Sequence, residues 1–203
     1  MLVPLHNDSS VLIRRIAPAD APLLRRAHRL MSSETIRNRY FMPKPQLSPS
    51  DLRYLTDVDF VDHVAVVAID PRRPEAILGV ARWIRDPARP DRAEAAFVVV
   101  DRAQGTGVGS ALAIALTDLA IARGVTTLTG SMLSDNRQSE GMFRRMGGEL
   151  TVHRQGITNE VVTTLPRAED RLRRLAHNRR MRPRRRSDHG VRRPAHVAPR
   201  AAA

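Results

Sequence analysis

The chain has 203 residues, no cysteine and a formal net charge of +13. Its length favours one domain with appendages, and the missing cysteines exclude disulfides, thiolate metal sites and cysteine nucleophiles. No apolar run reaches about 18 residues, which excludes a transmembrane helix, and residues 1–10 lack the basic and apolar regions of a signal peptide. We therefore expect a cytoplasmic protein without a membrane span.

The positive charge is concentrated at the C-terminal end. Residues 167–203 hold 13 Arg against 3 acidic residues, a balance of +10, whereas the other 166 residues carry +3. We expect a lead-in at 1–10, one folded domain at 11–166 and an Arg-rich, disordered tail at 167–203. The tail has few aromatic residues, so nucleic-acid binding by it would be non-specific and salt-sensitive. A solvated tail is the simpler interpretation.

The first part of the predicted domain is mainly helical. A strand is expected at 11–16, and three helices follow, at about 21–31, from 34 towards 41, and at 49–55. Their expected N-caps are Asp20, Ser33 and Ser48. Asp51 completes a capping box with Ser48, and Pro49 occupies the first helical position.

Strands dominate the next part of the chain. The apolar runs predict an antiparallel meander with strands at 64–69, 77–84 and 93–100, separated by proline-containing turns. A long helix is expected at about 108–122 and ends near Gly124. A strand at 126–132, a helix at 137–146 and two strands at 150–152 and 161–165 complete the pattern. The fold class is therefore mixed α/β.

A glycine-rich segment, DRAQGTGVG, lies between the third meander strand and the long helix. Glycines let backbone N–H groups approach a phosphate, and a helix N-terminus adds partial positive charge. A packing turn or a dinucleotide fingerprint are alternatives. The latter needs G-x-G-x-x-G and an acidic residue about 20 positions later, whereas this loop reads G-x-G-x-G. Lys44 is the chain's sole lysine, so the loop is not a Walker motif.

This loop resembles the coenzyme motif of the GNAT superfamily of N-acetyltransferases, [Q/R]-x-x-G-x-[G/A], with Gln104, Gly107 and Gly109 at the defining positions. The downstream family pattern, an Asn followed by a helix with an aromatic residue, a basic residue and Gly, is matched by Asn136, Phe143, Arg145 and Gly147. The resemblance implies a mostly antiparallel, twisted sheet of six to seven strands with a splayed coenzyme site. It also implies acetyl-CoA as co-substrate, with no metal.

Further segments, SSETIRNRYF, LTDVDFVDHVAVVAI, GVARW and AEAAFVVVD, resemble the catalytic domain of bacterial Pat-type protein lysine acetyltransferases. That resemblance implies an acceptor lysine on a partner protein. The backbone from Gln104 to Gly109 would hold the pyrophosphate, and that of Phe97, Val98 and Val99 would pair with the pantetheine arm. The complete set of implied coenzyme contacts is Phe97, Val98, Val99, Gln104, Gly105, Thr106, Gly107, Val108, Gly109, Ser110, Asn136 and Phe143.

Glu94 is the candidate general base. A lysine amine, with an ordinary pKa near 10.4, must lose a proton before it attacks. Glu94 precedes Val100 by six residues, roughly 20 Å along a strand, which is the scale of an extended pantetheine arm. Alternation places it on an apolar strand face, which would raise its pKa. An ordinary solvated residue at the start of a strand is the alternative, and the Pat-type resemblance favours the base.

The general acid is open, since Phe143 stands where many GNAT enzymes have a tyrosine. Tyr40 and His63 are alternatives, although Tyr40 is expected to pack against the core and His63 to lie at an exposed strand start. A small-molecule amine acceptor and a low-activity binding module remain alternative functions. Oligomeric state cannot be read from the sequence. We expect no separate nucleotide-sensing domain of the kind that some Pat-type enzymes carry.

Overall fold

A computed structural model describes residues 1–6 and 9–167, in which eight strands form one sheet with helices on both faces. The strands are β1 (Leu2–Pro4), β2 (Ser10–Arg15), β3 (His63–Asp70), β4 (Arg73–Asp86), β5 (Arg89–Val99), β6 (Thr127–Leu133), β7 (Glu149–Gln155) and β8 (Thr158–Thr164). The helices are α1 (Ala21–Arg29), α2 (Ser33–Tyr40), α3 (Pro49–Thr56), α4 (Val108–Ile121) and α5 (Arg137–Arg144).

The sheet order is β1-β2-β3-β4-β5-β6-β8-β7, and every neighbouring pair is antiparallel except β5 and β6. Those two strands are parallel because the chain crosses over through α4 between them. Their pairing covers three positions and ends where Glu94 lies opposite Thr129. Beyond this point β5 continues to Val99 without β6 at its side, so the two strands splay apart and leave an open cleft.

The core lies on both sides of the four central strands. Trp83 of β4 and Leu112 and Leu116 of α4 are fully buried on one face. α1, α2 and α3 cover the other face of β4 and β5, where Arg82 of β4 donates to the Leu55 carbonyl oxygen of α3. α2 also contacts β6, and farther out the side chains Ser131 of β6 and Thr151 and His153 of β7 are exposed.

The mixed α/β prediction is confirmed, as is the meander, whose strands extend beyond the predicted bounds. The structure adds β1 within the segment expected to be a polar lead-in, so the sheet has eight described strands rather than six or seven. None of the described helices is long and apolar enough to cross a membrane. The predicted Arg-rich tail lies outside the described residues apart from Arg167.

Of the three predicted N-caps, Asp20 and Ser48 are confirmed in position and Ser33 is wrong. The Asp20 carboxylate accepts no N–H of α1, because Arg14 lies 2.6 Å from it and the Ala17 N–H donates to it. The cap of α2 is Ser32, not Ser33, and its hydroxyl accepts from the Thr35 N–H. The Ser48–Asp51 capping box of α3 is present as predicted.

Candidate functional site

A groove of about 770 Å³ opens where β5 separates from β6. One wall is the exposed edge of β5 with Phe97, Val98 and Val99, and its floor is the loop between β5 and α4. The opposite wall is the start of α5. The groove therefore brings together the strand, the glycine loop and the downstream helix that the sequence pattern linked.

The glycine loop presents its backbone to this groove. Gly107 is the N-cap of α4 with φ +100°, and a Cβ placed there would stand 3.0 Å from His6 Cδ2. Gly105 also has a positive φ, +75°. A bare backbone in this conformation directs the first N–H groups of α4 towards the groove, as binding of an anion requires.

The side chain of Gln104 has a structural role that sequence reasoning missed. Its Nε2 donates to the Val99 carbonyl oxygen and to Thr35 Oγ1, both at 3.1 Å. Asp101 reinforces this connection by accepting from Ser32 Oγ at 2.5 Å and from Thr35 Oγ1 at 2.9 Å. Burial opposes ionisation of Asp101, but the Ser32 and Thr35 hydrogen bonds outweigh it and lower its pKa. Together these bonds fix the loop against α2.

Two members of the predicted contact set turn their side chains elsewhere. Val108 is fully buried in the core, and Thr106 Oγ1 donates to the Ala103 carbonyl oxygen at 2.7 Å. Only their backbone groups are suited to a ligand. Gly105, Gly107, Gly109 and Ser110 all line the groove as expected.

Asn136 lines the groove and caps α5 at the same time. Its Oδ1 accepts from the Ser139 N–H at 3.1 Å. Since this bond uses the amide oxygen, the amide nitrogen is the group left for a ligand. The predicted cap and the predicted position beside the coenzyme groove therefore coincide in one residue.

Phe143 closes the apex of the cleft instead of lining the groove. It is 2% exposed and contacts Phe97 edge-on, with ring centroids 5.6 Å apart. A Cβ added to Gly130 of β6 would stand 2.4 Å from Phe143 Cζ. Glycine at position 130 therefore lets the ring sit between the diverging strands, where an aromatic hydrocarbon can pack but cannot donate a proton.

Glu94 stands at the last shared position of β5 and β6, with Ile84 of β4 on its other side. Its side chain is exposed. The carboxylate is therefore solvated, which agrees with the alternative expectation of an ordinary strand residue, and the same face carries Arg82 and His63 farther across. Glu94 lies outside the groove itself, one step past its apex.

His63 is half-buried, not exposed as expected. Its Nε2 lies 2.9 Å from Arg82 Nη1, and its ring lies beside that of Tyr54. Burial, together with the charge of Arg82, lowers the pKa of His63 to about 4. A neutral imidazole already held by a guanidinium has no proton suited to a leaving thiolate, so the geometry argues against His63 as the general acid.

Tyr40 packs against the core as predicted. Its ring lies 5.9 Å from that of His28, and Lys44 Nζ lies 5.6 Å from its centroid. Burial raises the pKa of the phenol. Tyr40 does not line the groove, so neither alternative acid reaches the place where Phe143 stands.

Stability should fall on acidification because His28 and His63 are neutral in the folded state. His28 is 2% exposed, neither ring nitrogen has a partner among the described residues, and burial lowers its pKa. A depressed folded pKa means that stability is complete above about pH 6.5 and declines as the unfolded chain takes up protons below it. Each such group contributes at most about 1.4 kcal/mol per pH unit, less for half-buried His63.

Urea unfolding between pH 4 and 7.5 measures this dependence. His28→Leu should flatten the slope below pH 6.5, and the exposed His153→Gln variant should retain it. An unchanged slope in His28→Leu would contradict the assignment.

Residues 10–149 match the family described as Acetyltransferase (GNAT) domain. The chain belongs to the GNAT acetyltransferase family. It therefore carries a GNAT acetyltransferase domain over most of its described residues. Among residues 1–6 and 9–167, no three His, Asp or Glu side chains cluster as a metal site requires.

Two individual proteins are similar to this chain over most of its length. The chain is 32% identical over 150 residues to Acetyltransferase Pat of Mycolicibacterium smegmatis, covering 71% of this chain but 43% of that protein. The crystal structure of the GNAT domain of S. lividans PAT superposes with a TM-score of 0.74 and 28% identity, covering 81% of this chain and 96% of that one. The chain thus spans less than half of its curated relative.

A more distant structure shares the fold. The phosphinothricin acetyltransferase from Sinorhizobium meliloti, solved in complex with AcCoA, superposes with a TM-score of 0.63 at 19% identity. The superposition covers 76% of this chain and 88% of that one.

Proposed function

We propose that this GNAT enzyme transfers the acetyl group of acetyl-CoA to a lysine side chain of another protein, with Glu94 as general base. The observation that carries the proposal is the position of Glu94, which is an accessible carboxylate at the point where β5 and β6 diverge. Similarity to Acetyltransferase Pat supports a protein acceptor.

The coenzyme would occupy the groove in an extended form. Its pyrophosphate would lie on the backbone of residues 104–110, where Gly107 and the N-terminus of α4 offer N–H donors. Its pantetheine arm would run beside Phe97, Val98 and Val99 and pair with the backbone edge that β6 leaves open. In this direction the thioester would lie near the apex, where Phe143 contacts Phe97, three residues from Glu94 along β5.

The chemistry then needs only one proton acceptor at the apex. The lysine amine attacks the thioester carbonyl carbon and forms the new C–N bond, while Glu94 takes the amine proton, directly or through a water. Collapse of the tetrahedral intermediate breaks the C–S bond and releases coenzyme A as a thiolate. A thiolate is a good enough leaving group to depart without a positioned acid, in keeping with phenylalanine at position 143.

The surface beside Glu94 suits a large acceptor. On the side of the sheet that carries Glu94, β6 presents the exposed residue Ser131, and β7 presents the exposed residues Thr151 and His153. A small amine is normally held in an enclosed pocket that buries most of it, whereas a lysine on a folded partner needs an open approach. The open face therefore favours a protein acceptor over a small-molecule amine.

The test is a competition between acceptor classes for labelled acetyl-CoA. The full chain is given a bacterial protein extract and, separately, a panel of amino acids and polyamines at matched amine concentration. We expect the label on protein lysines, with faster turnover than on any small amine. Transfer only to a small amine would contradict the protein acceptor and indicate a small-molecule acetyltransferase. Binding of acetyl-CoA with no transfer to either class would favour a low-activity binding module.

In such a module, the Arg-rich residues 167–203 would tether the protein to nucleic acid by non-specific contacts. Deletion of 167–203 tests it: if DNA affinity at low salt is unchanged, the tail does not tether the protein. Residence in the cytoplasm stays a prediction.

A further inference from the structure

The N-terminal hairpin extends to the coenzyme loop. β1 and β2 pair with Val3 opposite Val11, and the Leu5 N–H donates to the Ser9 carbonyl oxygen at 2.9 Å. At the tip, the His6 N–H donates to the Thr106 carbonyl oxygen at 3.4 Å. Residues assigned by sequence to a lead-in therefore dock on the glycine loop.

The side chain of His6 lies against the same loop. Its Nε2 would stand 3.3 Å, and its Cδ2 3.0 Å, from a Cβ placed on Gly107. Leu5 Cδ2 lies 3.6 Å from that point, and Leu5 itself packs against the core. His6 also lines the groove. The imidazole is thus anchored beside the first N–H groups of α4, where phosphate oxygens of the coenzyme are expected.

The charges around the groove leave this position open to an anion. Asp101 is occupied by Ser32 and Thr35, and Asp135 lies 3.2 Å from Arg37. Arg137 also lines the groove, and its side chain has no ion-pair partner among the described residues. A phosphate on the loop would therefore meet donors on two sides, from His6 beside the loop and from the start of α5 on the opposite wall.

We propose that His6 is a coenzyme-binding residue that donates an imidazole N–H to a phosphate oxygen of acetyl-CoA, and that the β1–β2 hairpin serves to place it there. An imidazole offers one N–H donor when neutral and two when charged, so the contact holds in either state. The assignment rests on acetyl-CoA as donor, and it does not depend on the acceptor or on Glu94.

The experiment compares donors with and without phosphates, using the full chain. Acetyl-CoA and S-acetylpantetheine share the thioester and the pantetheine arm, but the second lacks the pyrophosphate, the 3′-phosphate and the adenosine. His6→Ala should raise the KM for acetyl-CoA about tenfold, as loss of one charge-assisted hydrogen bond implies. The KM for S-acetylpantetheine should be unchanged, and His6→Gln, which retains an N–H donor, should recover part of the affinity.

The control is Arg89→Gln, which alters an exposed side chain at the start of β5, at the end of that strand away from the glycine loop. It should leave both KM values unchanged. Titration with coenzyme A and 3′-dephospho-coenzyme A then identifies the phosphate: a loss in both ligands indicates the pyrophosphate, and a loss in coenzyme A alone indicates the 3′-phosphate. Equal loss with both acetyl donors, or no loss with acetyl-CoA, would overturn the proposal.

Discussion

Glu94→Gln should lower kcat by about 10²-fold to 10⁴-fold near neutral pH, the range expected for loss of a positioned base. The substitution keeps the size and exposure of the side chain but removes its ability to take a proton. Since Glu94 lies past the apex of the groove, the KM for acetyl-CoA should stay close to the wild-type value. Steady-state kinetics with a fixed protein acceptor measures both constants.

The pH dependence of this variant gives a second, independent signature. Without a base, only the deprotonated amine reacts, so the rate of Glu94→Gln should rise about tenfold per pH unit until the lysine titrates near pH 10.4. The difference in kcat between Glu94→Gln and the wild type should therefore become smaller at high pH. Glu160→Gln is a suitable control because Glu160 lies on the same open side of the sheet, where Arg92 pairs with it at 3.1 Å. A wild-type kcat in Glu94→Gln would contradict the assignment of Glu94 as general base.

Gly107→Ala should raise the KM for acetyl-CoA by about 10²-fold, with a much smaller change in kcat at saturation. At φ +100° an alanine is strained by about 1–3 kcal/mol, and its Cβ would press on the His6 ring. The loop must move to relieve both effects. Displacing N–H groups from two or more phosphate contacts then removes charge-assisted hydrogen bonds.

Gly156→Ala separates loop geometry from general destabilisation. Gly156 has φ +64° in the β7–β8 turn, where an added Cβ meets no atom within 4 Å. Both variants should lower the urea midpoint, but Gly156→Ala should retain the wild-type KM. If Gly107→Ala also retained it, the coenzyme would not depend on this loop.

Local sequence patterns were sufficient to predict the features that depend on interactions between residues close together in the chain. The Ser48–Asp51 capping box, the apolar meander and the glycine loop before α4 all depend on residues within a few positions of one another. The order of strand, loop and helix also placed Phe97–Val99 and residues 104–110 in one groove. These features carry most of the coenzyme site.

Contacts between distant segments explain what the sequence missed. Asp20 has the residue type of an N-cap, but Arg14 and the Ala17 N–H occupy its carboxylate. Gln104 fits the coenzyme motif, yet its side chain bonds to Thr35, sixty-nine positions away. His6 reaches the loop only because a three-residue strand pairs with β2, and a strand that short has no periodicity to detect.

Arg82 is the clearest example of a buried residue whose environment the neighbouring sequence does not predict. The residue is 4% exposed, its guanidinium is bonded to His63 and to the Leu55 carbonyl oxygen, and burial lowers its pKa to about 10. Its strand reads as continuously buried and apolar around it. Only the packing of α3 across the sheet shows why a buried cation fits there, and why His63 is half-buried and neutral.

Hydrogen exchange with and without acetyl-CoA tests the placement of the coenzyme most directly. On binding, the amides of residues 97–99 and 104–110 should slow markedly, because the first would pair with pantetheine and the second with phosphate. The amides of β7, at the far edge of the sheet, should be unaffected. Protection that is absent from 97–110, or that centres on another part of the sheet, would contradict the assignment of this groove as the acetyl-CoA site.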